Sequence, residues 1–89
     1  MTAPPPVPVF NCVVNVSPPE ADGTIVATVA NLPGISGRGK SEREALAQVI
    51  PLFKDAVARL HAAGQPIVWI DPPTPPPAGH VQRLIAVHL

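Results

Sequence analysis

Apolar and polar residues alternate in two stretches near the start of the chain. In the first stretch, Phe10, Cys12, Val14 and Val16 fall on one side, and Asn11, Val13 and Asn15 fall on the other. The second stretch, 24–30, shows the same alternation, which is typical of half-buried strands. The segment 17–23 between them is rich in Pro, Asp and Gly, which favour turns. The pattern predicts an antiparallel hairpin with a long loop.

In the segment that follows, apolar residues recur about every three to four positions, which is typical of an amphipathic helix. The apolar stripe that they form consists of Leu46, Val49, Ile50, Phe53, Val57 and Leu60. Ser41 is a suitable N-cap, Glu44 completes a capping box with it, and Gly64 predicts the end of the helix. Pro51 lies inside the stripe, where its missing amide and its ring disturb a helix. The sequence therefore predicts either a kink at Pro51 or two helical segments.

Three further segments have a weaker pattern. A short third strand is predicted near 35–38, and the segment 65–70 is strand-like but crowded by Pro66 and Pro72. The run 80–89 is almost continuously apolar, which predicts a last strand buried on both faces. The predicted order is β-β-β-α-β, an α+β fold in which one helix covers one face of a sheet.

One helix leaves the other face of such a sheet uncovered. That face is predicted to carry Val9, Val13 and Val26, which makes it the candidate dimer surface. Trp69, the only tryptophan, is expected to cover either an edge of the core or an interface. His88, in the last strand, is expected either to pack or to meet a partner.

Proline is abundant, with 14 residues, and it clusters in two places. Residues 1–8 are a Pro-rich N-terminal arm, and residues 71–79 are a Pro-rich connector inside a single domain that spans 9–89. Both clusters predict an extended polyproline II conformation. At about 3.1 Å per residue, the connector is long enough to cross a small domain.

Composition bears on the partners of the chain. Apolar residues make up 46% and charged residues 13%, against roughly 25% charged in an average soluble domain. Because little charge covers the surface, we expect apolar surface to be buried against further copies in a homodimer or larger oligomer. The net charge is zero, and the basic cluster Arg38, Lys40 and Arg43 is interleaved with Glu42 and Glu44. Neither feature indicates a nucleic-acid-binding surface.

A single cysteine, Cys12, excludes an intrachain disulfide and favours the reducing cytoplasm. No apolar run reaches the roughly 18 residues that a membrane span needs. Residues 1–7 lack the basic and apolar segments of a signal peptide. The sequence predicts a cytoplasmic protein with no membrane partner.

The residue types that carry catalysis do not converge in the predicted elements. The acids are Glu20, Asp22, Glu42, Glu44, Asp55 and Asp71, and the histidines are His61, His80 and His88. The acids fall mainly in a turn, at a helix start and on an outer helix flank, and the histidines lack the spacing of metal ligands. The sequence predicts no catalytic residue, no metal site and no cofactor, and therefore a protein that is not an enzyme.

The stretch 22–46 contains a specific series of residues, which we call the central series. It is predicted to be a structural motif and consists of Asp22, Gly23, Leu32, Pro33, Gly34, Gly39, Ser41, Glu44 and Ala45. This series resembles the pattern of HicB-like antitoxins. Four residues depart from that pattern. Ile25 stands where an aromatic residue is common, and Ala30 stands where proline is common. Asn31 stands where an acid is common, and Ile35 stands where cysteine is common. These departures preserve the shape of the backbone more than any chemistry.

The resemblance implies a partial RNase H-like fold without the nuclease carboxylates. HicB-type proteins of bacterial toxin–antitoxin systems bind and mask HicA, a small toxin that cleaves mRNA. Many carry a C-terminal DNA-binding domain, and because this chain stops at Leu89, we expect no autonomous DNA binding. The expected function is masking of a HicA-like toxin. The alternative is a stand-alone homo-oligomer of the same fold, with a structural or regulatory role and no toxin.

Overall fold

The structure is a computed structural model that describes residues 8–89. All of the predicted N-terminal arm except Pro8 lies outside the described residues. The elements are β1 (Val9–Val16), β2 (Ile25–Val29), β3 (Ser36–Gly39), α1 (Glu42–Ala62) and β4 (Val81–His88). Residues 8–89 form an α+β fold with a four-stranded antiparallel sheet and one helix, which confirms the predicted fold class.

The strand order in the sheet is β3-β2-β1-β4, so the first strand lies centrally and the last strand lies at an edge. The pairing of β1 with β4 runs the full length of both strands, from Val9 opposite His88 to Val16 opposite Val81. The prediction that the last strand is buried on both faces is wrong, because Val87 is the only fully buried residue in β4. An apolar edge strand has the same residue pattern as a central strand, so the sequence alone does not distinguish the two positions.

The core lies between the sheet and one side of α1. Val49, Phe53 and Val57 are fully buried, and they meet Cys12 and Val14 from β1. Leu46, Ile50 and Leu60, the remaining members of the predicted stripe, are partly buried. The helix packs mainly across β2 and β3 and reaches β1 and β4 only along its flank. The β4 side of the sheet is therefore less covered than the β3 side.

The helix is continuous through Pro51, so the predicted alternative of two helical segments is wrong. Pro51 lies on the exposed side of the helix, where it does not disturb the buried stripe. At the start of the helix, Ser41 Oγ accepts a hydrogen bond from Glu44 N at 3.1 Å, as expected of an N-cap. The helix ends at Ala62, shortly before Gly64, which has a φ of +66°.

The side chain of Asn31 extends the pairing of β1 beyond the end of β2. Val13 N donates to Asn31 Oδ1 at 3.1 Å, and Asn31 Nδ2 donates to Asn11 O at 2.7 Å. An amide side chain offers the same donor and acceptor as a peptide group. Asn31 therefore takes the place of a neighbouring strand along this part of β1.

The segment 65–80 contains no strand, and its Pro-rich part lies against the sheet face opposite α1. Thr74 N donates to Ala30 O at 2.9 Å, and Asn15 Nδ2 donates to Thr74 O at 3.0 Å. Asn15 alternates with the core residues Val14 and Val16, so its side chain is on the helix-free face. The connector thus covers part of the face that the sequence predicted to be bare.

Candidate partner-binding surfaces

The first members of the central series form the turn that leads into β2. Gly23 has a φ of +85°, and its amide donates to Glu20 O at 2.9 Å. Thr24 N donates to Asp22 Oδ1 at 3.0 Å, and this bond holds the pKa of the Asp22 carboxyl below its ordinary value. Lys40 Nζ donates to Asp22 O at 3.2 Å. The turn is therefore fixed internally and tied to the end of β3.

Leu32, Pro33 and Gly34 turn the chain from β2 into β3. Leu32 is buried in the core, whereas Pro33 and Gly34 are exposed. Gly34 has a φ of +83°, in the left-handed region that favours glycine. Val29 N donates to Ile35 O at 3.0 Å across the turn. The turn is therefore anchored by one apolar side chain and presents its two other residues outward.

The last members of the central series join β3 to the start of α1. Gly39 lies so close to the helix that a Cβ atom there would overlap Glu44 Cβ and lie 2.7 Å from Ala45 N. Ala45 is fully buried, and Glu44 Oε2 accepts a hydrogen bond from Lys40 N at 2.7 Å. Together with the N-cap at Ser41, these contacts make β3 and the first helical turn one unit. The central series therefore shapes the backbone, and its polar side chains Asp22, Ser41 and Glu44 accept hydrogen bonds from nearby backbone amides.

An open apolar groove lies between the Leu-Pro-Gly turn and the second half of α1, and we call it the turn groove. Its lining residues are Leu32, Pro33, Gly34, Ile35, Ala56, Leu60, Pro66 and Val68. Val68 is 76% exposed, the largest exposure among the large apolar residues described. Val68 was not singled out from the sequence, because its exposure depends on how the whole chain packs.

The five predicted interface residues have different environments. Val13 is buried, and Val26 is half-buried. Trp69 packs at the edge of the core, with its ring centroid 6.0 Å from that of Phe10 and 6.1 Å from that of Phe53. Of the two expectations for Trp69, the core edge is the one that the structure shows.

Val9 and His88 are the two predicted interface residues with exposed side chains. They lie opposite each other, at one end of the β1–β4 pair. The structure therefore separates the predicted interface: Val13 and Trp69 are engaged within the monomer, whereas Val9 and His88 lie beside the outer edge of the sheet.

That outer edge is formed by β4, and we call it the β4 edge. Leu84 is 68% exposed and Val81 is 44% exposed. Arg83 is the only charged residue between Val81 and His88, and its guanidinium donates to the Glu42 carboxylate. This bond lowers the pKa of Glu42 from its ordinary value. The β4 edge is thus long, apolar and without an unpaired carboxylate or lysine.

The groups with chemical reactivity are dispersed or buried. Cys12 is fully buried, and burial raises the pKa of its thiol to about 11, which keeps it protonated and unreactive at neutral pH. Between residues 8 and 89, no group of three or more His, Cys, Asp or Glu side chains is placed to hold a metal ion. In the same residues, no helix has both the length and the apolarity needed to cross a membrane.

Comparisons with family models, with curated proteins and with solved structures each found no match to this chain. The turn groove, the β4 edge and the central series are therefore the features of the molecule that bear on its function.

Proposed function

We propose that this chain contains the partner-binding domain of a HicB-like antitoxin, and that it masks a small HicA-like mRNA-cleaving toxin. The observation that supports the proposal best is that the central series joins β2, β3 and α1 into one unit, with the apolar turn groove beside it. Each of its glycines stands where a side chain would clash or where φ is positive. The unit acts by binding and not by catalysis, in the bacterial cytoplasm, where the free thiol of Cys12 is stable.

In this proposal the turn groove receives the toxin. Its floor is held by the buried Leu32 and Ile35, so the surface is formed before the partner arrives. Its rim carries Pro33 and Val68, whose exposed apolar atoms lose contact with water when a partner covers them. A groove of this kind excludes the substrate of the toxin by steric masking and needs no reactive group.

A co-expression experiment tests this function. The protein encoded next to this chain, if small and basic, is produced alone and together with the chain, and growth and mRNA cleavage are measured. We expect the chain to restore growth and to co-purify with its neighbour. Val68→Asp should abolish both effects, because a carboxylate in the groove would lose its water.

Leu52→Asp is the matched control, since Leu52 is 50% exposed but lies outside the groove. It should protect as the natural chain does. Protection that survives Val68→Asp, or a neighbour that neither arrests growth nor binds, contradicts the proposal.

The alternative function, a stand-alone homo-oligomer with a structural or regulatory role, is favoured by a different observation. The β4 edge offers a second copy a long strand to pair with, and this feature requires no toxin. A solitary gene and a homo-oligomer whose own chains cover the turn groove would support the alternative over the masking function.

A further inference from the structure

In β4, the amides and carbonyls of alternate residues hydrogen-bond to β1, and those of the remaining residues point to the opposite side. Leu89 N donates to Pro8 O at 3.1 Å, so the odd-numbered residues of β4 face β1. Ala30 N donates to Val13 O at 2.6 Å, which turns the odd-numbered residues of β1 toward β2 and its even-numbered residues toward β4. Because the direction alternates along a strand, the amides and carbonyls of Gln82, Leu84, Ala86 and His88 point away from the sheet.

Devices that usually protect an edge strand are missing from this edge. Native proteins shorten edge strands, interrupt them with proline or bulges, or place lysine on them. β4 has eight residues and contains no proline and no lysine, and its pairing with β1 shows no bulge. Its one cation, Arg83, is held by Glu42 of the same chain. The β4 edge is therefore open to another strand.

We propose that β4 pairs with β4 of a second copy in an antiparallel dimer, with the two-fold axis perpendicular to the sheet at Ile85. The two four-stranded sheets become one continuous sheet, and both helices lie on the same face. The proposal is independent of the HicB-like function. It also differs from a dimer formed through the sheet face opposite α1, because the contact is edge to edge.

The edge is complementary to itself about Ile85. Around this centre, Gln82 of one copy lies opposite His88 of the other, and Leu84 lies opposite Ala86. In this register, the four outward amides and the four outward carbonyls of each copy all form hydrogen bonds with the other copy. No other register of β4 against itself pairs more of these groups. A centre at Leu84 would leave His88 without a partner inside β4. The self-complementarity is the reason for choosing a second copy as the occupant.

The side chains are compatible with this arrangement. On the face of α1, Ile85 meets its own counterpart, and Arg83 lies opposite Val87 and not opposite another arginine. On the other face, Leu84, which is 68% exposed in the monomer, contacts Ala86 of the second copy. The chain has zero net charge, so two copies approach without overall repulsion.

The mass of the full chain in solution tests the dimer. Sedimentation over a range of concentrations should show a particle of twice the 9.3 kDa monomer mass. Leu84→Lys should raise the dissociation constant by about a hundredfold, because symmetry places two new charges in the interface. Leu52→Lys makes the same change at an exposed leucine of α1 and should leave the dimer intact. A natural chain that stays monomeric, or equal weakening by both variants, overturns the proposal.

The register is tested by cross-linking. Leu84→Cys and Ala86→Cys place thiols on the face opposite Cys12, so the native thiol does not interfere. When the two variants are mixed and oxidised, disulfides should form between unlike chains, because residues 84 and 86 lie opposite each other. Each variant alone should give little cross-linked product. Rapid cross-linking of Leu84→Cys with itself would overturn the axis at Ile85, and an absence of cross-links in the mixture would overturn the pairing.

Discussion

The two edges of the sheet differ in length, in charge and in cover. At one edge, β3 has four residues, includes the cation Arg38 and is packed against the first two turns of α1 through Gly37 and Gly39. At the other edge, β4 has eight residues, is largely apolar and lies beyond the main cover of the helix. Edge strands that are short, charged and covered resist pairing, whereas long apolar ones promote it. The comparison indicates that β3 closes the monomer and β4 leaves it open.

The largest expected effect comes from proline substitutions at neighbouring positions of β4. Ile85→Pro removes an amide that bonds to β1, whereas Leu84→Pro removes one that points to the free edge. We expect Ile85→Pro to lower the free energy of unfolding of the monomer by about 3 kcal/mol more than Leu84→Pro does. Urea denaturation at low protein concentration measures both. Equal losses would show that the assignment of inward and outward amides is incorrect.

The closed edge is expected to be nearly as sensitive at one glycine. Gly39→Ala adds a Cβ that overlaps Glu44 and approaches the backbone of Ala45, so β3 has to move away from the helix. We expect a loss of about 2–3 kcal/mol in the free energy of unfolding. Ser36→Ala, at an exposed position of the same strand, is the control and should cost less than about 0.5 kcal/mol. If Gly39→Ala leaves the free energy of unfolding unchanged, the close packing of α1 against β3 does not protect this edge.

A smaller effect is expected at Asn31, which supports the part of β1 that carries β4. Asn31→Ala leaves Val13 N and Asn11 O without their partners. We expect thermal and urea unfolding to show a loss of about 2 kcal/mol. Asn11→Ala removes an exposed side chain and keeps the backbone carbonyl, so it should be close to neutral. If both variants lower the stability equally, the hydrogen bonds of the Asn31 side chain do not support β1.

The smallest effect concerns the ion pair between Glu42 and Arg83, which links the open edge to α1. The pKa of Glu42 is lowered in the folded chain by the hydrogen bond from Arg83. Its stabilising contribution is therefore present above the unfolded pKa and is lost as the pH falls through the lowered folded pKa. Glu42→Gln should slightly lower the Tm at neutral pH, and the difference should disappear in strong acid. Adding Arg83→Met to Glu42→Gln should cost little more, and a full additive loss would contradict the pairing.

The sequence predicted the elements with local signals better than it predicted their surroundings. Alternation identified β1 and β2, and the apolar stripe with Ser41 and Glu44 identified α1, because periodicity and capping depend on near neighbours. The burial of β4 was mistaken, because an apolar run does not tell whether a second neighbouring strand exists. The cover that the connector gives to one face depends on Thr74 meeting Asn15, and nothing in the local sequence indicates that contact.

The same limit applies to the candidate surfaces. The central series was predicted to be structural, and its residues form turns, a cap and a close helix contact. Exposure of Val68 and Leu84 depends on the final packing, so neither was singled out beforehand. The low proportion of charged residues pointed to an apolar contact without indicating which surface provides it.

Amide hydrogen exchange, followed residue by residue over a range of protein concentrations, shows directly whether β4 is an open edge that pairs with a second copy. If it is, the amides of Gln82, Leu84, Ala86 and His88 exchange rapidly in dilute protein and become protected as the concentration rises. The amides of Arg83 and Ile85, which face β1, should be protected throughout. Outward amides that exchange at the unprotected rate at every concentration would show that β4 does not pair with a second copy.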